Sequence, residues 1–295
     1  LFTGSFVALV TPFKDGSLDE KGLRENVRFQ IRNGSSGLVP CGTTGESPTL
    51  SLEEWRRVVE ISVEEAGGKV HVIAGTGTNS TSATVERTMM ARDLGAAAAL
   101  VVTPYYNKPT QDGLYEHYRT VAVEARFPLV LYNVPGRTGV NMAPETVRKL
   151  SMLDEVVALK DASGNLAQAG ETARLCKDGL DILSGDDILT LPFLALGARG
   201  VISVVANILP SEISGMISSY LSGNVLDARL AHERLLPVAE ALFLETNPIP
   251  VKAAMEMLGM PAGSPRLPLT EMSEKNRALL RSALAEYGLL GSGSA

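Results

Sequence analysis

A chain of 295 residues with 45% apolar and 20% charged residues is too apolar for disorder and long enough to bury a sizeable core. Its 27 basic and 33 acidic residues leave a formal net charge of -6 and form no basic block, so the electrostatic footprint of a nucleic-acid binder is missing. No apolar run approaches the roughly 20 residues that cross a bilayer, and neither the two cysteines nor the three histidines have disulfide-framework or metal-ligand spacing. A soluble cytoplasmic protein with no nucleic-acid or membrane partner is expected. Leu1 implies that something was removed upstream, and residues 291–295 read as a flexible tail.

In chain order, short β-branched and apolar runs alternate with amphipathic helical patterns. The runs cover residues 6–13, 37–41, 70–75, 97–103, 128–134, 156–160, 181–184 and 200–205. Their starts lie roughly 20 to 32 residues apart, the length of a strand, a loop and a crossover helix, which predicts parallel strands. Ser17 with Glu20 and Ser51 with Glu54 read as capping boxes, and Pro144 as a first-turn proline. Strands apolar on both faces suit a barrel wall covered by helices, and eight units suggest closure into an α/β fold of the (β/α)8 TIM-barrel type. Past residue 207 only helical patterns follow, at 211–221, 225–245, 250–258 and 270–287, with Pro237 placed to kink the second. The expected division is a barrel over 1–207, a C-terminal helical domain over 208–290 and the tail.

Two glycine-rich loops follow strands. Gly75-Thr76-Gly77-Thr78-Asn79-Ser80 lacks the third glycine of a dinucleotide fingerprint, and no phosphate-loop Gly-Lys-Ser/Thr exists in the chain. Gly42-Thr43-Thr44-Gly45-Glu46-Ser47 sits at a strand's C-terminal end, where sites in barrels gather, and its two hydroxyls could hold a carboxylate or pass a proton. As a plain alternative, the glycines only make a turn. Lys160 ends a strand, on the face of Ala158, where apolar surroundings favour the neutral amine that attacks carbonyls. A lysine that snorkels to water or pairs with Asp161 is the alternative. Tyr132 lies one unit earlier at the same end, and a phenol beside an imine nitrogen can exchange protons. Arg137, on a glycine-flanked loop, has the fork that grips a carboxylate, and Tyr105 and Tyr106 follow the fourth strand.

Together, Gly42-Thr43-Thr44-Gly45-Glu46, Tyr105-Tyr106, the segment from Tyr132 to Gly139 and Lys160-Asp161 resemble the dihydrodipicolinate synthase family of pyruvate-dependent class I aldolases. The likeness runs from Phe2-Thr3-Gly4-Ser5 through Gly200-Val201-Ile202 to Arg266-Leu267-Pro268-Leu269-Thr270. It implies a (β/α)8 barrel with a C-terminal helical domain, assembled as a homo-oligomer, a tetramer built as a dimer of dimers. It implies pyruvate and L-aspartate 4-semialdehyde as substrates, no metal and no organic cofactor. Residue by residue, it makes Lys160 the imine lysine and Tyr132, Thr43 and Tyr106 a proton relay, with Tyr106 reaching into a partner's site. Thr43 and Thr44 would hold the pyruvate carboxylate, Arg137 the semialdehyde carboxylate, and the backbone at Gly185 and Ile202 would line the pocket. Ser47, Asn79 and Tyr105 match a lysine-binding regulatory site. Ala83 there replaces a glutamate, and Leu52 and Trp55 replace histidines, so lysine inhibition is expected to be weak or lost. The glycine-glutamate loop and strand-borne lysine are shared with sugar-acid lyases of the same chemistry, from which Arg137 is the discriminator.

Overall fold

The computed structural model describes residues 2–291, and of Asp178 only the backbone. Leu1 and the expected tail beyond residue 291 lie outside the described residues. Eight parallel strands close into a barrel: β1 (Gly4–Ala8), β2 (Gly37–Val39), β3 (His71–Gly75), β4 (Ala98–Val102), β5 (Leu129–Asn133), β6 (Val156–Asp161), β7 (Asp181–Ser184) and β8 (Gly200–Ser203). Each pairs with its sequence neighbours, and β8 returns to β1, with Gly4 opposite Gly200. A side chain at residue 200 would collide with the Gly4 carbonyl, so the closing seam needs glycine there.

The first predicted strand ends early. After Ala8 the Val10 amide turns to the Asn207 side chain, Pro12 has no N–H for a ladder, and Phe13–Lys14 pairs with Ser17–Leu18 in a separate hairpin. That hairpin also overturns the capping box expected at Ser17. Helix α1 (Glu20–Arg32) is capped instead by Asp19, whose carboxylate accepts from the Gly22 amide. The Ser51–Glu54 box is present on α2 (Leu52–Ala66).

The ring continues with α3 (Thr81–Asp93), α4 (Gln111–Ala125), α5 (Pro144–Leu150), α6 (Leu166–Cys176) and α7 (Thr190–Ala195). Pro144 opens α5 as expected. Helix α8 (Pro210–Leu221) packs on β1 and also on α9 (Val225–Ala241), joining barrel to tail helices. Pro237 lies inside α9, which continues past it for one turn. Helix α10 (Ile249–Met257) packs against the turn Val205–Asn207 at the C-terminal end of β8. Helix α11 (Glu274–Tyr287) starts later than its pattern suggests, because the Glu245 carboxylate takes the Ser273 amide and hydroxyl. A large apolar core spans the barrel interior, most of the strand–helix layer and the C-terminal helices, and a small separate cluster of Ala169, Ile182, Phe193 and Ala198 packs α6 and α7 on β7. Each fully buried Leu, Ile or Phe in the large core contributes about 1.5 to 3 kcal/mol. Among the described residues, no helix is long and apolar enough to cross a membrane.

Candidate active site

All eight strands point the same way, so their C-terminal ends share one face, and that face carries the site. Strand register decides its centre. Leu129 pairs with Val156, but Val130 pairs with Ala158, so the ladder shifts by one residue within β6. The shift sets Tyr132 directly opposite Lys160. Without it, Tyr132 would face Leu159, and phenol and amine would project from opposite faces of the wall. As built, both side chains are buried, at 6% exposure each, and the Lys160 Nζ lies 4.3 Å from the centre of the Tyr132 ring.

Among the described residues no carboxylate comes within ion-pairing distance of Lys160. Asp161, its alternative partner, turns instead to the Ser163 amide at 2.8 Å, and burial raises its carboxyl above the ordinary range. Gly185 makes room for the lysine. A Cβ there would stand 3.1 Å from the Lys160 Cε and 2.7 Å from the Ala162 Cβ.

The hydroxyl pair comes from the loop after β2. Thr43 is half-buried and Thr44 buried, and the Thr44 Oγ1 accepts from the Asn247 side-chain amide at 3.0 Å. Glu46 closes this loop, its N–H donating to the Thr43 carbonyl at 3.1 Å. Arg137 stands on the single helical turn Pro135–Thr138, stopped by Gly139 at φ +71°. Its Nη2 donates to the Asn247 backbone carbonyl at 3.1 Å.

Thr43, Thr44, Tyr132, Arg137, Lys160 and Gly185 border one cavity of about 180 Å³, with Asn247 and Asp186 on its wall. A second cavity of about 230 Å³ adjoins it, sharing Thr43, Tyr132 and Arg137 and adding Ser47, Arg87 and Tyr105. The other expected residues lie apart. Ile202 is buried within β8, opposite Phe6, while Val204 reaches the first cavity. Asn79 is half-buried, and its carbonyl accepts from the Asn107 side chain. Tyr106 is 88% exposed and lines neither cavity. Trp55 is a core residue, its indole donating to the Gly75 carbonyl at 2.8 Å. Sequence reading missed Asn247. It lies in the tail, and only the composition of Thr246-Asn247-Pro248, a break between helical patterns, could have drawn attention to it.

A closed (β/α)8 barrel with a buried lysine and a phenol side by side at the strand ends defines an imine-forming lyase of the class I aldolase type. Residues 1–287 match the dihydrodipicolinate synthetase family, and the chain belongs to it. It is 53% identical over 290 residues to the 4-hydroxy-tetrahydrodipicolinate synthase of Citrifermentans bemidjiense, covering 98% of this chain and all of that one. Among solved structures it resembles the chloride-inhibited dihydrodipicolinate synthase of Acinetobacter baumannii complexed with pyruvate, with TM-score 0.96 and 42% identity over 98% of this chain and 100% of that one. It also resembles the enzyme of Cyanidioschyzon merolae with lysine bound, with TM-score 0.95 and 43% identity over 98% and 99%.

Proposed function

We propose that the chain condenses pyruvate with L-aspartate 4-semialdehyde to 4-hydroxy-tetrahydrodipicolinate, in the diaminopimelate branch of lysine biosynthesis, through a Schiff base on Lys160. The observation that carries the reading is the buried Lys160 amine held over the Tyr132 ring at the floor of the cavity. The neutral amine attacks the pyruvate ketone and water leaves, giving an imine. The protonated imine accepts the electron pair when a methyl proton departs, so no separate electron sink is needed. The enamine then attacks the aldehyde of the second substrate. That substrate's own amine displaces Lys160 from the imine carbon, closing the ring and freeing the enzyme.

Tyr132 and Thr43 carry protons to and from the imine, completed by Tyr106 of a second copy, since Tyr106 is exposed and lines neither cavity of its own chain. Thr43 and Thr44 hold the pyruvate carboxylate. Arg137, tethered through Asn247, holds the carboxylate of the semialdehyde, and Gly185 and Val204 shape the wall. The working form is therefore a homo-oligomer, a dimer of dimers by its family, in the cytoplasm. Ser47, Asn79 and Tyr105 mark a regulatory site whose response to lysine is weak or lost. The test is coupled NADPH oxidation with pyruvate, the semialdehyde and a dihydrodipicolinate reductase. Lys160→Ala abolishes turnover and borohydride trapping of pyruvate. Turnover surviving that substitution would overturn the Schiff-base route, and trapping without turnover in the unsubstituted protein would point to a sugar-acid lyase.

A further inference from the structure

The loop that carries Thr43 and Thr44 ends in a charged residue with no place in that chemistry. Glu46 takes up a left-handed backbone, φ +54°, although it is not glycine. Its carboxylate is 1% exposed and faces the equally buried Lys252 Nζ at 2.6 Å. The second carboxylate oxygen accepts the Arg266 backbone N–H at 2.8 Å. Lys252 also donates to the Ser264 carbonyl at 3.4 Å, and its ammonium lies 4.4 Å from the centre of the Phe13 ring. The Arg266 guanidinium sits over the same ring at 4.0 Å and forks onto Glu54, at the start of α2, while donating to the Thr49 carbonyl at 3.0 Å. The C-terminal helical part thus grips the loop that carries Thr43 and Thr44 at Glu46 and, past its far end, at Thr49 and Glu54.

Two desolvated ions are a poor way to gain stability, since apolar replacements of such pairs are often neutral or better. Burial pushes the Lys252 ammonium below the ordinary lysine range, and Glu46 opposes that push. What the pair does supply is a fixed turn. The Glu46 N–H donates to the Thr43 carbonyl, the Ser47 N–H to the Gly42 carbonyl at 3.3 Å, and the Thr49 N–H to the Glu46 carbonyl at 3.0 Å. The strained residue makes two of these three bonds and the third flanks it, and its side chain is the part anchored outside the loop.

We propose that Glu46 is a positioning residue, whose buried pair with Lys252 holds the turn that presents the Thr43 and Thr44 hydroxyls to the pyruvate carboxylate and the proton path. This rests on the roles given to those threonines above, and the experiment separates the two. Glu46→Gln, the double variant Glu46→Gln/Lys252→Met, and Thr44→Val are compared for kcat, pyruvate KM, semialdehyde KM, borohydride trapping and Tm. In Glu46→Gln, kcat/KM for pyruvate falls about 10- to 100-fold per trappable site, the size expected of a misplaced catalytic group. The semialdehyde KM stays near its original value. In the double variant no charge is left buried alone, so Tm recovers while kcat/KM does not, and this variant carries the comparison if Glu46→Gln fails to fold. Unchanged kcat/KM per trappable site alongside a lowered Tm would make the pair structural only and overturn the proposal. If Thr44→Val leaves the pyruvate KM unchanged, the threonine reading fails; if it raises that KM and Glu46→Gln does not, only the positioning inference fails.

Discussion

The barrel mouth is built in two ways. Lys160 and Tyr132 stand on adjacent strands, where the β-ladder itself fixes them opposite each other. Thr43, Thr44 and Arg137 stand on loops, and those loops are tied down by residues from the other end of the chain. Asn247 reaches Thr44 and Arg137, and Lys252 and Arg266 reach Glu46. Strand-borne groups owe their precision to backbone hydrogen bonds inside the wall, which suits the covalent role proposed for Lys160. Loop-borne groups depend on tertiary contacts that span from 110 to 220 residues of sequence, and in the proposed scheme Thr44 and Arg137 bind while Thr43 also passes a proton. The proposed division predicts that damage to Lys160 or Tyr132 falls on kcat, and damage to Thr44 or Arg137 chiefly on KM.

Tyr132→Phe is the larger blow to that division. Removing the phenol hydroxyl keeps the ring beside Lys160 and the packing of β5, while withdrawing the proton donor and acceptor. A loss in kcat of about 10² to 10⁴ is expected, with pyruvate KM little changed and borohydride trapping slowed but complete. Stopped trapping and steady-state rates on the same preparation check this. A variant with raised KM and intact kcat would show that the tyrosine binds substrate instead of moving protons.

Asn247→Ala probes the loop-borne half more gently. The substitution deletes the amide that donates to the Thr44 hydroxyl but keeps the backbone carbonyl that Arg137 uses. One such hydrogen bond is worth about 0.5 to 1.5 kcal/mol, so pyruvate KM should rise roughly 2- to 10-fold with kcat nearly intact. Initial-rate kinetics at varied pyruvate decide it, and a fall confined to kcat would erase the distinction between the two halves.

The same division separates what could be read in the sequence from what could not. Strand and helix periodicity, the Ser51–Glu54 box and the first-turn Pro144 announced the barrel, because each is a local pattern with a local cause. Lys160 and Tyr132 were legible as strand-end residues, yet their confrontation was not, since it needs the one-residue slip between Leu129 and Val130 in the β5–β6 ladder. The hydroxyl loop and Arg137 were legible by type and by resemblance. Their anchors were not, because Asn247, Lys252 and Arg266 lie among residues that read as tail helix and connecting loop, and nothing local distinguishes Lys252 from a solvated lysine. Ser17 misled for the opposite reason. The capping pattern was present, but the Phe13–Leu18 hairpin took the serine, and Asp19 capped the helix.

The smallest expected effect concerns the second cavity, which borders the first through Thr43, Tyr132 and Arg137. A lysine bound there would bring two ammonium groups, and none of the residues lining this cavity is Asp or Glu, while Arg87 adds a positive charge to its wall. Ala83 offers no carboxylate where the family has a glutamate, and Trp55, buried with its indole on the Gly75 carbonyl, cannot turn toward a ligand without leaving the core. Losing one charge-assisted hydrogen bond costs about 1 to 3 kcal/mol, or roughly 5- to 150-fold in affinity. L-Lysine titrated into the coupled assay should therefore leave the rate almost unchanged through the low-millimolar range. Ala83→Glu should strengthen whatever inhibition remains, because it adds an anion on α3, the helix that also carries Arg87 of this wall. Half-maximal inhibition of the unsubstituted enzyme at low-millimolar L-lysine would mean that a carboxylate from a second copy supplies the missing charge, and the loop-borne half would then owe its behaviour to the partner as well as to the tail.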